Sequence, residues 1–127
     1  MSQSFQPTSR LILIETEVSG PSGKVAARLV LDTGATTTTL NVRLLRSIGY
    51  DPNAATESAR MATGSAVETV PRLMVNRPSA LGRHAIRHQV LAHDLPTEAA
   101  VDGLLGLDFF RGLALTIDFR AGRIDLV

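Results

Sequence analysis

From Arg10 onward the chain is a succession of short apolar, β-branched runs, interrupted every ten or so positions by turn-forming residues. RLILIETEV gives way to SGPSGK and then to VAARLVLDT, which reads as a β-hairpin. SARMATGSAVETV reads as two strands around Thr63-Gly64-Ser65, a projecting hairpin whose second strand is held to an edge or irregular position by Pro71. HAIRHQVLAHD is a further strand and AVDGLLG a short buried one. LALTIDF alternates so that Leu113, Leu115, Ile117 and Phe119 share a face before Arg120-Ala121-Gly122 turns the chain into RIDLV. Helical signals are few. In NVRLLRSIG, Asn41 is a cap, Val42, Leu45 and Ile48 recur at helical spacing, and Gly49 is a left-handed stop. LDFFRG is one turn closed by Gly112, with Phe109 and Phe110 read as packing residues. This pattern specifies an all-β class, closed or sandwich-like. Residues 1–9, MSQSFQPTS, are polar and contain Pro7, so they are expected to form a flexible tail ahead of a domain spanning 10–127.

A chain of 127 residues is one domain's length, and 44% hydrophobic with 20% charged residues is an ordinary globular composition. Thirteen basic residues against twelve acidic ones leave a net charge of +1, without the basic excess that phosphate-tracking surfaces need, so nucleic acid is not an expected partner. The opening apolar run is stopped by Glu15, well short of the ~18 residues a membrane span requires. The chain is therefore expected to be soluble and cytoplasmic. With no cysteine there can be no disulfide, thiolate metal site or cysteine nucleophile.

The most informative segment is Leu29-Val30-Leu31-Asp32-Thr33-Gly34-Ala35. A carboxylate placed directly after three aliphatic strand residues is costly to desolvate unless it is hydrogen-bonded or used. Gly34 lets the backbone approach and offer an N–H to it, and the Thr33 hydroxyl can bond to a neighbouring chain. Taken alone, Asp-Thr-Gly is also ordinary turn chemistry at a strand end. About 70 residues further on, Asp102-Gly103-Leu104-Leu105-Gly106-Leu107 places an apolar pair between two glycines, a sign of tight passage against another backbone.

LDTGA followed by DGLLGLDFF resembles the retropepsin-like, or retroviral-type, aspartic proteases, as a cellular or bacterial member. The order of hairpin, DTG loop, short helix, hairpin and GLLG strand extends the resemblance over residues 10–127. The resemblance implies a closed β-barrel that works as a symmetric homodimer, each copy supplying one Asp beneath a pair of flaps. By that match Asp32 is catalytic, and Thr33, Gly34 and Ala35 support it. Gly103, Leu104, Leu105 and Gly106 form the strand threaded beneath the loop. Met61, Ala62, Thr63, Gly64, Ser65 and Ala66 make the flap that closes on an extended polypeptide substrate. The sequence holds no second DTG or DSG, so two copies are needed to pair two carboxylates. No cofactor or metal is expected.

The chain departs from the retroviral pattern in two places. That family usually carries an acidic residue two after the DTG glycine and an Arg after the second glycine of the threaded strand; here Thr36 and Leu107 stand there. Losing both partners leaves no unpaired buried charge. Other tempting residues are set aside. His84, His88 and His93 lack an HExxH glutamate and read as surface histidines. Ser65 has no nucleophile elbow around it. GPSGKV lacks the first glycine and the final hydroxyl of a phosphate loop. A catalytically silent dimerisation or peptide-binding module is the alternative function for the same fold, binding extended peptide by strand addition.

Overall fold

The computed structural model describes residues 1–95 and 100–127. Among the described residues eleven strands run in the order β1 (Ser2–Ser4), β2 (Leu13–Gly20), β3 (Gly23–Leu31), β4 (Thr39–Asn41), β5 (Glu57–Thr63), β6 (Ala66–Ala80), β7 (Arg83–His84), β8 (Arg87–His93), β9 (Gly103–Leu105), β10 (Leu115–Asp118) and β11 (Arg123–Leu126). Helix α1 (Val42–Ser47) follows β4, and short 3-10 turns occupy Pro52–Ala54 and Leu107–Phe110. The expected class therefore holds.

Six strands close into a barrel in the order β2-β3-β9-β4-β8-β6, and β6 pairs back onto β2 to complete it. Closure removes the edges of the barrel itself, one way in which small β-domains avoid strand-to-strand aggregation, while β5 of the projecting hairpin keeps an edge. Alternation decides what faces inward. Ile14, Thr16 and Val18 of β2 are buried while Glu15 and Glu17 are exposed, and Ala27 and Leu29 of β3 meet them from the next strand. Leu40, Leu45, Val75, Val90, Leu105, Phe109 and Ile124 are among the other core residues. Each such side chain contributes about 1.5–3 kcal/mol by leaving water, and no disulfide assists.

Helix α1 forms where the sequence signals it. The Asn41 side chain accepts from Arg43 N at 3.0 Å, and the chain leaves the helix through Gly49 at φ 97°. β6 is the long member, running through Pro71 and Pro78. Pro71 is opposite Ser58 of β5, and β8 joins the other side only from Arg72 onward, so the missing N–H costs no ladder bond there. Arg77, at φ 46°, accompanies the register shift where β6 crosses β2.

The N-terminal tail is the main correction to the sequence reading. Ser2–Ser4 form β1, which pairs antiparallel with β11 and completes a second, three-stranded sheet, β1-β11-β10. Main-chain bonds rather than apolar burial hold it, together with the Gln3 amide, which donates to Leu13 O at 2.7 Å and accepts from Glu15 N at 3.1 Å. Phe5 packs edge-on against Phe119, which lies in the turn beyond β10 and is otherwise exposed. Among the described residues no helix is long and apolar enough to cross a membrane.

Candidate active site

The apolar end of β3 delivers Asp32 to the barrel's surface. Leu29, Val30 and Leu31 run parallel to Gly103, Leu104 and Leu105 of β9, and the ladder continues one step further because Asp32 N donates to Leu105 O at 3.0 Å. The chain then turns sharply. Ala35 N donates to Asp32 O at 3.1 Å, and Leu107 N donates to Ala35 O at 2.9 Å, so one end of the loop hangs on the strand beneath and the other on the turn that follows it. Gly34 N donates to Asp32 Oδ1 at 3.0 Å, as its position in the sequence suggests. This fixes one carboxylate oxygen and leaves the other available. Thr33 and Gly34 are exposed; Asp32 and Ala35 are half-buried.

The two glycines of DGLLG are required by space. Gly103 passes between β3 and β4, and a Cβ there would collide with Thr39 O and lie 3.1 Å from Leu40 Cα. At Gly106 a Cβ would stand 2.9 Å from both Ala35 O and the Thr37 carbonyl carbon. Asp102 adds a tie of its own, its Oδ2 accepting from Arg28 N at 2.8 Å.

Sequence reasoning missed the residue that locks the far end of the loop. Asp108, on the 3-10 turn after Gly106, accepts from Thr38 N at 3.0 Å on both oxygens, from Thr38 Oγ1 at 2.8 Å, and from His88 Nε2 at 2.9 Å. Burial by itself raises the Asp108 pKa, but the bonds from His88 and Thr38 and the charge on His88 outweigh it and hold the carboxyl below its ordinary range. His88 is therefore not the surface histidine expected from sequence: its side chain is 16% exposed and its ring meets Phe109 edge-on. The available signal was an acidic residue inside the apolar LDFF run, where an unpaired charge is untenable.

Residues 61–66 are the tip of the β5–β6 hairpin, with Thr63 opposite Ala66 and Met61 opposite Glu68. Gly64 makes the turn at φ 61°, and the space where its Cβ would be is empty. Ala62, Ser65 and Ala66 are exposed and Met61 is half-buried, so the hairpin projects from the barrel as the sequence indicates. His84 is exposed and contacts Ser79 Oγ at 3.0 Å, whereas His93 lies 3.9 Å from Glu68 on the hairpin's second strand.

Residues 14–109, which contain the Asp32 loop, the hairpin and the threaded strand, match the family model for aspartyl proteases. The chain belongs to that family. Among solved structures, a retropepsin-like aspartic protease from Rickettsia conorii superposes with a TM-score of 0.72 at 16% identity, covering 99% of this chain and 88% of the other. The retroviral protease-like domain of Ddi1 from Leishmania major gives a TM-score of 0.57 at 16% identity, with 94% and 96% covered. At these identities the likeness establishes the retropepsin-like fold. No curated protein matches the chain in sequence.

Within this aspartyl protease fold, Thr36 is exposed and Leu107 half-buried, so no ion pair joins the loop to the residue after Gly106. The tie is made one residue later instead, by Asp108 to Thr38. One copy presents one DTG carboxylate, oriented by a backbone N–H and supported on a buried strand. Such a group can accept a proton from water or donate one to a carbonyl, provided a second acid stands opposite.

Proposed function

We propose that this chain is a homodimeric aspartic endopeptidase whose active site is assembled from Asp32 of two copies. The observation that supports this best is the Asp32 loop itself: a presented carboxylate with one oxygen held by Gly34 N, hung by main-chain bonds on a glycine-bracketed strand and on Leu107 just beyond it. Since each chain carries one such loop, a two-fold axis beside Asp32 supplies the second acid. Two carboxylates about 3 Å apart cannot both ionise, so they share a proton.

The chemistry then follows from that shared proton. The ionised Asp32 takes a proton from a water held between the pair, and the water oxygen attacks the scissile carbonyl carbon. The protonated Asp32 donates to the carbonyl oxygen, giving a neutral tetrahedral diol. In the collapse one diol hydroxyl gives its proton to the Asp32 that is now ionised, and the carbonyl re-forms as the C–N bond breaks. The proton taken from water passes from the other Asp32 to the leaving amine, which restores the singly protonated pair. No acyl-enzyme forms. Thr33 and Ala35 shape the loop, and the hairpin tip formed by Met61, Ala62, Thr63, Gly64, Ser65 and Ala66 serves as the flap over an extended polypeptide. Ala35, Met61, Ala62 and Ala66 cannot pair a charge, which favours apolar side chains beside the scissile bond.

The test is to incubate the purified chain and Asp32→Asn with a peptide library at pH 5 and pH 7. Cleavage between apolar residues by the parent, abolished in Asp32→Asn, is the expected result. Peptide binding without cleavage by the parent would instead favour a silent binding module.

A further inference from the structure

We propose that His88 and Asp108 form a positioning pair for the reaction, tying the strand pair that carries the flap hairpin to the loop that carries Asp32. The inference rests on the protease reading above and assigns to it two residues outside the DTG loop, the threaded strand and the flap.

Asp108 joins three parts of the molecule. Its carboxylate holds Thr38 through both the backbone N–H and the hydroxyl, and that hydroxyl in turn accepts from Gly106 N at 3.1 Å. Thr38 thus closes the loop that begins at Asp32 onto the end of the threaded strand. On its other side Thr38 O accepts from Leu91 N of β8 at 3.0 Å. The third part is His88, also on β8 and directly opposite Val75 of β6. β6 is continuous from Ala66 at the hairpin tip to Ala80 on the barrel, so a force on the flap reaches His88 through one unbroken strand and its neighbour.

The ring of His88 is not free to wander. It packs edge-on against Phe109 with centroids 6.1 Å apart, and the Arg83 guanidinium lies 5.6 Å from the centre of that same Phe109 ring. Phe109 is 1% exposed. Packing alone does not require a charged pair here. An apolar residue at 108, like its neighbours Leu107, Phe109 and Phe110, would avoid burying a carboxylate, and buried ion pairs seldom exceed well-packed apolar residues in stability. What the pair adds is direction: two acceptor oxygens and one imidazole N–H fix where Thr38, and hence the loop, sits relative to β8.

The variants are His88→Ala, His88→Gln and Asp108→Asn, measured for kcat, KM, Tm and amide hydrogen exchange. Gln extends its Nε2–H to the place of the imidazole Nε2, so it keeps the bond to Asp108. For His88→Ala we expect kcat to fall by about 10²-fold, the scale set by an ångström of misplacement, with KM changed less than about twofold. Exchange at Asp32, Ala35 and Leu107 should quicken together in that variant while β2 and β3 amides keep the parent's rates. His88→Gln should recover most of kcat and the slow exchange. If His88→Ala does not fold, the Gln variant and Asp108→Asn still decide the matter. Parent-like exchange at Asp32, Ala35 and Leu107 in both His88→Ala and Asp108→Asn would overturn the proposal. So would a loss of kcat that follows Tm and is not recovered by Gln. The protease reading fails separately, by absence of Asp32-dependent cleavage in the parent, and the exchange arm still decides the coupling in that case.

Discussion

Replacing Gly103 by alanine tests the threading of β9 through the fold. The residue is paired with Leu29 of β3 on one side and Leu40 of β4 on the other. The added methyl would collide with Thr39 O and stand 3.1 Å from both Leu29 Cδ2 and Leu40 Cα. Two of those three obstacles are main chain, and Leu29 and Leu40 are each 1% exposed, so neither strand has room to retreat. Overpacking a core costs about 1–3 kcal/mol, and a backbone collision belongs at the upper end, about 3 kcal/mol. For a domain of this size that lowers Tm by roughly 10 °C. Gly112→Ala is the control: its Cβ meets nothing within 4 Å, so only the left-handed φ of 81° resists it. That costs about 1 kcal/mol, or roughly 4 °C. Thermal melts followed by circular dichroism compare the two. A Gly103→Ala melt within about 2 °C of the parent would refute the geometry on which the Asp32 loop is hung.

Three further outcomes are expected. Gly64→Val meets open space but a φ of 61°, so its stability loss should stay near 1–2 kcal/mol while turnover falls much further; equal losses would remove the hairpin from the reaction. Asp108 has a lowered pKa, so its stabilisation is complete above about pH 4 and is lost as pH falls through its folded value; the gap in urea midpoint between parent and Asp108→Asn should narrow below pH 4, and a constant gap from pH 6 to 2 would contradict this. Ala35 offers no hydroxyl to the Asp32 loop and Ala35→Ser adds a donor that favours a charged carboxylate, so the acid limb of the kcat/KM profile should lie lower in the variant than in the parent; an unmoved limb would refute the hydrogen-bond argument.

Local rules explain which parts were legible before the structure. Asn41 caps α1 and Gly49 ends it because both act on their own backbone neighbourhood. Asp32 stood out because a carboxylate after Leu-Val-Leu must be hydrogen-bonded or used, and Gly103 and Gly106 because a bracketed apolar pair signals a close neighbour. β1 was invisible for the opposite reason: Ser2–Ser4 are held by main-chain pairing with residues 123–125, and main-chain pairing leaves no trace in side-chain pattern. The His88–Asp108 contact joins residues 20 apart on different elements, so neither residue's immediate context reveals the other. β6 runs well beyond the SAVETV segment that the pattern marks as strand; Pro71 signals an edge or irregular position, and on one side the neighbouring strand begins only at Arg72.

The most direct test of the central claim, that two copies each lend one Asp32, is to titrate Asp32→Asn into a fixed amount of the parent and follow peptide cleavage. Random assortment of the two forms should cut activity to about half at equal concentrations and further as the variant is added in excess, because mixed pairs hold only one acid. Activity that stays at the parent's level across the titration would contradict the shared site.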